Sequence, residues 1–126
     1  MYQITIQTGS VSMLAELNDS STTLQIWEAL PIEGRANLWG DEIYFAIPVD
    51  ADQEVDARAD VDVGELGYWP AGSAFCIFFG PTPVSSGSRP RAASPVNILG
   101  DFIGDAAQFR VVKNGEKVVL TRAATN

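Results

Sequence analysis

The chain has 126 residues, 46% of them hydrophobic, and carries sixteen acids against eight bases for a net charge of −8. That length fits a single domain spanning 1–126, at the usual ~100–200 residues per domain, and the acidic balance argues against nucleic acid and membrane surfaces as partners. With no histidine and one cysteine, Cys76, the sequence offers no Ser-His or Cys-His pair, no imidazole zinc site and no internal disulfide.

Residues 2–7 alternate Tyr2, Ile4 and Ile6 with Gln3, Thr5 and Gln7, the period of a half-buried strand rather than the apolar core of a signal peptide. Gly9-Ser10 breaks this strand, and Val11 to Leu17 returns as the second arm of a hairpin. Asp19-Ser20-Ser21 supplies N-cap chemistry for a helix over residues 22–30, which Pro31 must end. Arg35 to Val49 reads as one strand of mixed pattern, with Ile43, Phe45 and Ile47 on one face and Glu42, Tyr44 and Ala46 on the other. From Val49 to Val63 acids recur at 50, 52, 54, 56, 60 and 62, the mark of a strand with one wet face. A calcium loop is the alternative there, but an EF-hand beginning at Asp50 needs Gly at 55 and Glu at 61, where the chain has Val55 and Val61.

The run Ala74 to Phe79, bounded by Gly and Pro, predicts a buried strand; it is apolar on both sides, so more than a barrel interior must cover it. No apolar run approaches the ~20 residues of a membrane-spanning helix, and a cytoplasmic protein is the expectation. Residues 81–95, with four prolines and four serines, predict an irregular, mobile excursion. There Arg89 and Arg91 read as solvated charges or as a clamp for an anionic ligand. Val96 to Ile103 resumes as strand, Asp105 caps a short helix through Val112, and Lys117 to Thr121 closes the chain as a last strand. Seven or eight strands with one good helix and one short one predict a mainly-β barrel or sandwich.

Three segments carry a resemblance: Asn37-Leu38-Trp39-Gly40-Asp41-Glu42-Ile43-Tyr44-Phe45, Val63 to Pro83 around Gly67-Tyr68-Trp69-Pro70, and Pro95-Val96-Asn97-Ile98-Leu99-Gly100. Together they resemble a family of small prokaryotic proteins with a cyclophilin-like fold, over nearly the whole chain. The resemblance implies a closed eight-stranded barrel with an apolar interior and one or two short helices. Cyclophilins isomerise X-Pro bonds with an arginine on an outer barrel face, a glutamine and an apolar pocket. Matching Ile43 to Pro48 with the segment that carries the arginine puts Phe45 at its position. Matching Gly72 to Cys76 replaces the glutamine by Ala74 and the pocket phenylalanine by Cys76. No arginine lies between residues 36 and 57 to restore the first.

Trp39, Glu42, Tyr44, Tyr68, Trp69 and Asn97 are the candidate ligand-binding residues: aromatic walls with Glu42 as polar anchor, the usual mix of a small-ligand site. The bland reading makes the aromatics barrel filling, Glu42 a solvated turn acid and Asn97 a hydrogen-bonded core group. Cys76 reads as an inert buried thiol. No catalytic residue, metal or cofactor is assigned. The function expected is binding of a small molecule or an extended peptide without isomerase activity. An atypical prolyl isomerase is the alternative, and a homo-oligomer or docking on a larger enzyme stays open.

Overall fold

The computed structural model describes residues 2–123. Ten strands and one α-helix follow in the order β1 Tyr2–Thr8, β2 Val11–Leu17, α1 Ser21–Ala29, β3 Ile32–Arg35, β4 Asn37–Trp39, β5 Glu42–Ala46, β6 Arg58–Asp60, β7 Glu65–Trp69, β8 Ala74–Phe78, β9 Arg91–Ile103 and β10 Lys117–Arg122. The sheet runs β3-β10-β1-β2-β9-β7-β8-β5-β4, every pair antiparallel, with β6 joined to β9 off this path. The expected eight strands are therefore ten, and the hydrogen-bonded path is open between its end strands β3 and β4. No helix of the described residues is long and apolar enough to cross a membrane.

The first hairpin and α1 form as their residues dictate. Ile4, Ile6, Met13 and Ala15 alternate into the core, and the Ser20 hydroxyl accepts from the Thr23 amide at the head of the helix. Arg35 to Val49 is not one strand. Gly40 adopts φ +59° and turns the chain, so that β4 and β5 form a hairpin with Trp39 opposite Glu42 and Asn37 opposite Tyr44. The apolar run lands on β8, paired with β5 on one side and β7 on the other. Its Phe75 and Ile77 enter the main core with Ile43, Phe45, Leu66 and Tyr68. Its Cys76 and Phe78 enter a second, outer cluster with Val61, Ala92 and Val96.

Strand β9 makes both clusters contiguous. Its end around Phe102 pairs with β2, its middle with β7, and its beginning, from Arg91, with β6. A bulge interrupts the β7 register between Leu66 and Gly67, next to Gly100 at φ +149°. A Cβ at Gly100 would lie 2.0 Å from the Glu16 carbonyl oxygen, so only glycine allows β2 to approach here. Beyond the bulge the Arg91–Val96 arm folds over the outer face of the sheet. Residues 91–95, expected within a mobile excursion, are therefore strand. Thr82, itself buried, donates its hydroxyl to the Arg91 carbonyl, and the Val61 amide donates to that of Pro90 at 3.2 Å.

The acidic stretch departs furthest from expectation. Residues 49–63 contribute only the three-residue β6, and the rest is irregular. The alternating charges do not line one wet face: Glu54 accepts from the Thr22 hydroxyl at 2.7 Å beside the start of α1, while Asp60 and Asp62 pair with Arg91 and Arg89 at 3.1 and 3.2 Å. The two arginines thus fasten the arm and its approach to the acidic segment. Among the described residues, no group of three or more His, Cys, Asp or Glu could hold a metal ion.

Side chains replace the missing ladder. The Tyr68 hydroxyl donates to the Val49 carbonyl at 2.7 Å and accepts from the Ala51 amide at 3.1 Å. The fully buried Asn97 donates to the Asp52 carbonyl and the Thr22 hydroxyl, and accepts from the Glu54 amide, at 2.9, 3.1 and 2.8 Å. Replacing Asn97 by Leu should cost about 2–3 kcal/mol, because it strands buried backbone groups. Urea unfolding and hydrogen exchange check this: the Glu54 amide should lose its protection, and unchanged stability would refute the clamp.

Candidate functional site

The hairpin β4–β5 sends one row of side chains inward and the other outward. Ile43 and Phe45 are fully buried in the main core, whereas Glu42 and Tyr44 sit on the outer face, opposite Phe78 and Cys76 of β8. Phe45, matched above to the cyclophilin arginine, therefore faces the core; the residues of β5 on the outer face are Glu42, Tyr44 and Ala46. Trp39 faces the same way from β4, and Trp69 from the end of β7.

These side chains bound a cleft of about 240 Å³ lined by Trp39, Glu42, Tyr44, Trp69, Ala92, Ala93 and Val96. Trp69 and Tyr44 meet edge to face, ring centroids 6.3 Å apart. The Trp69 indole donates to the Ser94 hydroxyl at 2.6 Å, tying the wall to the arm that roofs it.

Four of the six candidates thus come together. Tyr68 and Asn97 do not: each is buried and fully engaged in holding residues 49–54, the role described above. Neighbours along a strand point to opposite faces, so Tyr68 is turned inward because Trp69 faces the cleft, and Asn97 is turned away because Val96 faces it. Ala92, Ala93 and Val96 complete the lining without having been candidates from the sequence. The signal for them is faint, since small side chains suit either a loop or a strand, and only the partners of the arm decide between them.

Glu42 is the unusual member. It is 5% exposed, and one carboxylate oxygen, Oε1, is buried with no hydrogen-bond partner. Burial pushes its pKa up from 4.5 to about 7, and hydrogen bonding from the Cys76 thiol beside it acts the other way. The Cys76 thiol is in turn driven well above its ordinary value, first by burial and then by the charge of Glu42, and stays a protonated, unreactive group. An acid that titrates near neutrality inside an aromatic-walled cleft can accept a hydrogen bond as carboxylate, donate one as acid, or pair with a cation.

A family model described as cyclophilin-like matches residues 2–121. Among solved structures, the solution structure of the hypothetical protein AF2241 from Archaeoglobus fulgidus is 37% identical, covering 97% of this chain and 95% of that one, with a TM-score of 0.83. The structure of McbB in complex with tryptophan is 17% identical with a TM-score of 0.60; the match covers 98% of this chain and 47% of McbB. The search of curated proteins found no match.

The raised pKa of Glu42 has a consequence for stability. Between pH 4.5 and about 7 the folded state holds a proton that the unfolded state releases, so stability is full below this window and falls as pH rises through it. At ~1.36 kcal/mol per unit the loss is about 3 kcal/mol. Thermal melts of wild type and Glu42→Gln should therefore diverge with rising pH, the Gln variant being the more stable at pH 8. A gap that stays constant from pH 4.5 to 8 would contradict the burial of an unpaired carboxyl.

Proposed function

The chain belongs to the cyclophilin-like family, and on that footing we propose that it is a binding module. It takes a small molecule, or one side chain of an extended peptide, into the cleft between Trp39, Tyr44 and Trp69, with Glu42 as the polar anchor and no covalent chemistry. The observation that carries this reading is the buried, unpartnered Oε1 of Glu42 in an otherwise apolar cleft. A desolvated polar group without a partner costs about 1–3 kcal/mol, and a ligand that satisfies it recovers that cost. The volume lies below the ~300–1,000 Å³ of drug-sized sites, which favours a compact ligand.

The same reading treats residues 1–126 as one domain and the sheet as a barrel closed by packing across its open seam. Support for closure is the approach of β3 to β5, where a Cβ on Gly34 would meet the Phe45 ring at 2.7 Å. Binding without isomerase chemistry is supported by the outer face of β5, where Tyr44 and Ala46 flank the buried Phe45 and supply no positive charge.

A screen of compact aromatic and aliphatic fragments by protein-observed NMR tests the proposal. Tryptophan belongs in the set because McbB is described in complex with it, although that likeness concerns the fold alone. Bound fragments should shift the indole N–H signals of Trp39 and Trp69 and spare Trp27, which packs elsewhere against Tyr2 and Arg122. Ala93→Leu, which fills the cleft, should abolish the shifts. Fragments that perturb only Trp27, or that bind the Leu variant equally well, would sink the assignment. So would acceleration of proline-peptide isomerisation that disappears with Tyr44→Ala.

A further inference from the structure

We propose that the occupant of the cleft is an organic cation: a primary ammonium carried on a compact aromatic or apolar body. This rests on the binding reading above and adds to it the charge of the ligand.

Glu42 lacks a counter-ion among the described residues. The ion pairs there are Arg58–Glu65, Arg89–Asp62, Arg91–Asp60, Arg110–Asp41 and Lys117–Glu33, and none involves Glu42. The titratable groups around it are Tyr44 on its own strand, Cys76 on β8 and the neighbouring turn residue Asp41, whose carboxylate is engaged by Arg110 at 3.4 Å. From β4 it meets Trp39, and the arm presents Ala92, Ala93 and Val96. A carboxylate has been drawn out of water with no cation of the protein to answer it. The unpartnered Oε1 asks for an N–H or O–H donor.

Two further features select a charged donor over a neutral one. Indole and phenol rings carry negative faces that attract ammonium groups, and three such rings, Trp39, Tyr44 and Trp69, line the cleft. The molecule as a whole carries a net charge of −8, which concentrates cations and repels anions at its surface. An anionic ligand would face both that field and Glu42. At Glu42 itself, a neutral hydrogen-bond acceptor could be held only by the protonated acid.

The alternatives therefore differ in the direction of their pH dependence. With a pKa of about 7, Glu42 is about one-tenth ionised at pH 6 and about nine-tenths at pH 8. Cation binding must strengthen about tenfold over that interval, whereas binding of an acceptor to the Glu42 carboxyl must weaken. The test is a titration of the full chain with benzylamine, benzyl alcohol and phenylacetate at pH 6 and pH 8, followed by the indole signals of Trp39 and Trp69. Benzylamine, which stays protonated at both pH values, should bind at least tenfold more tightly than benzyl alcohol at pH 8 and about tenfold more weakly at pH 6. Glu42→Gln should remove both the amine preference and its pH dependence; the wild-type pH dependence stands as a test without the variant. Benzyl alcohol or phenylacetate binding as well as benzylamine at pH 8, or benzylamine binding more tightly at pH 6, overturns the cation assignment and leaves the cleft reading intact. Failure of all three to bind overturns both.

Discussion

Strand β8 is buried on both faces, and most of the molecule follows from satisfying that requirement. Phe75 and Ile77 on its inner face are covered by the main core, as any half-buried strand would be. Cys76 and Phe78 on the outer face need a second cover. The chain supplies it by lengthening β9 to thirteen residues, bending it at the bulge beside Gly100, and laying the Arg91–Val96 arm over the sheet against β6. Burial at ~25 cal/mol per Å² of apolar surface drives this second layer. The exposed ion pairs of Arg89 and Arg91 contribute little energy; with the Thr82 hydrogen bond they fix where the arm lies.

The cleft is where that outer layer stops short. Val61, Ala92 and Val96 cover Cys76 and Phe78, but the side chains toward β4 and β5 are not sealed, and a gap walled by Trp39, Tyr44 and Trp69 remains. Glu42 lies at its base, across β5–β8 from Phe78. Placing a carboxyl there raises its pKa and weakens the fold near neutral pH, a cost that an apolar residue of similar size would avoid. Buried ionisable groups with strongly shifted pKa values cluster at functional sites, and aromatic side chains wall this one.

Much of this architecture was legible in the sequence, and the failures have physical causes. Alternation revealed β1 and β2, capping residues revealed α1, and the double-sided apolar run foretold both β8 and its outer cover. The β4–β5 hairpin was hidden because Gly40-Asp41 sits inside a pattern that continues across it. Residues 49–63 misled because acids on alternate positions look the same whether a ladder or side chains hold the backbone. What holds it are Tyr68 and Asn97, separated by up to 45 positions from the backbone groups of this segment that they bind, a contact that local pattern cannot reveal. The outer face of β5 was readable, which brought Glu42 and Tyr44 to the site. Tyr68 and Trp69 are neighbours on one strand, and the two-residue period allows only one of them to face the cleft.

The state of a single carboxyl decides what the cleft can bind, and that state can be observed directly. Carbon-detected NMR of the Glu42 side-chain carboxyl, followed from pH 4 to 9 in the ligand-free protein, reports its titration without recourse to stability or binding. A midpoint near 7, in line with burial without a counter-ion, is the predicted result. A midpoint at the ordinary glutamate value of 4.5 would mean that water or a cation reaches the group, and would contradict the anchoring role given to Glu42.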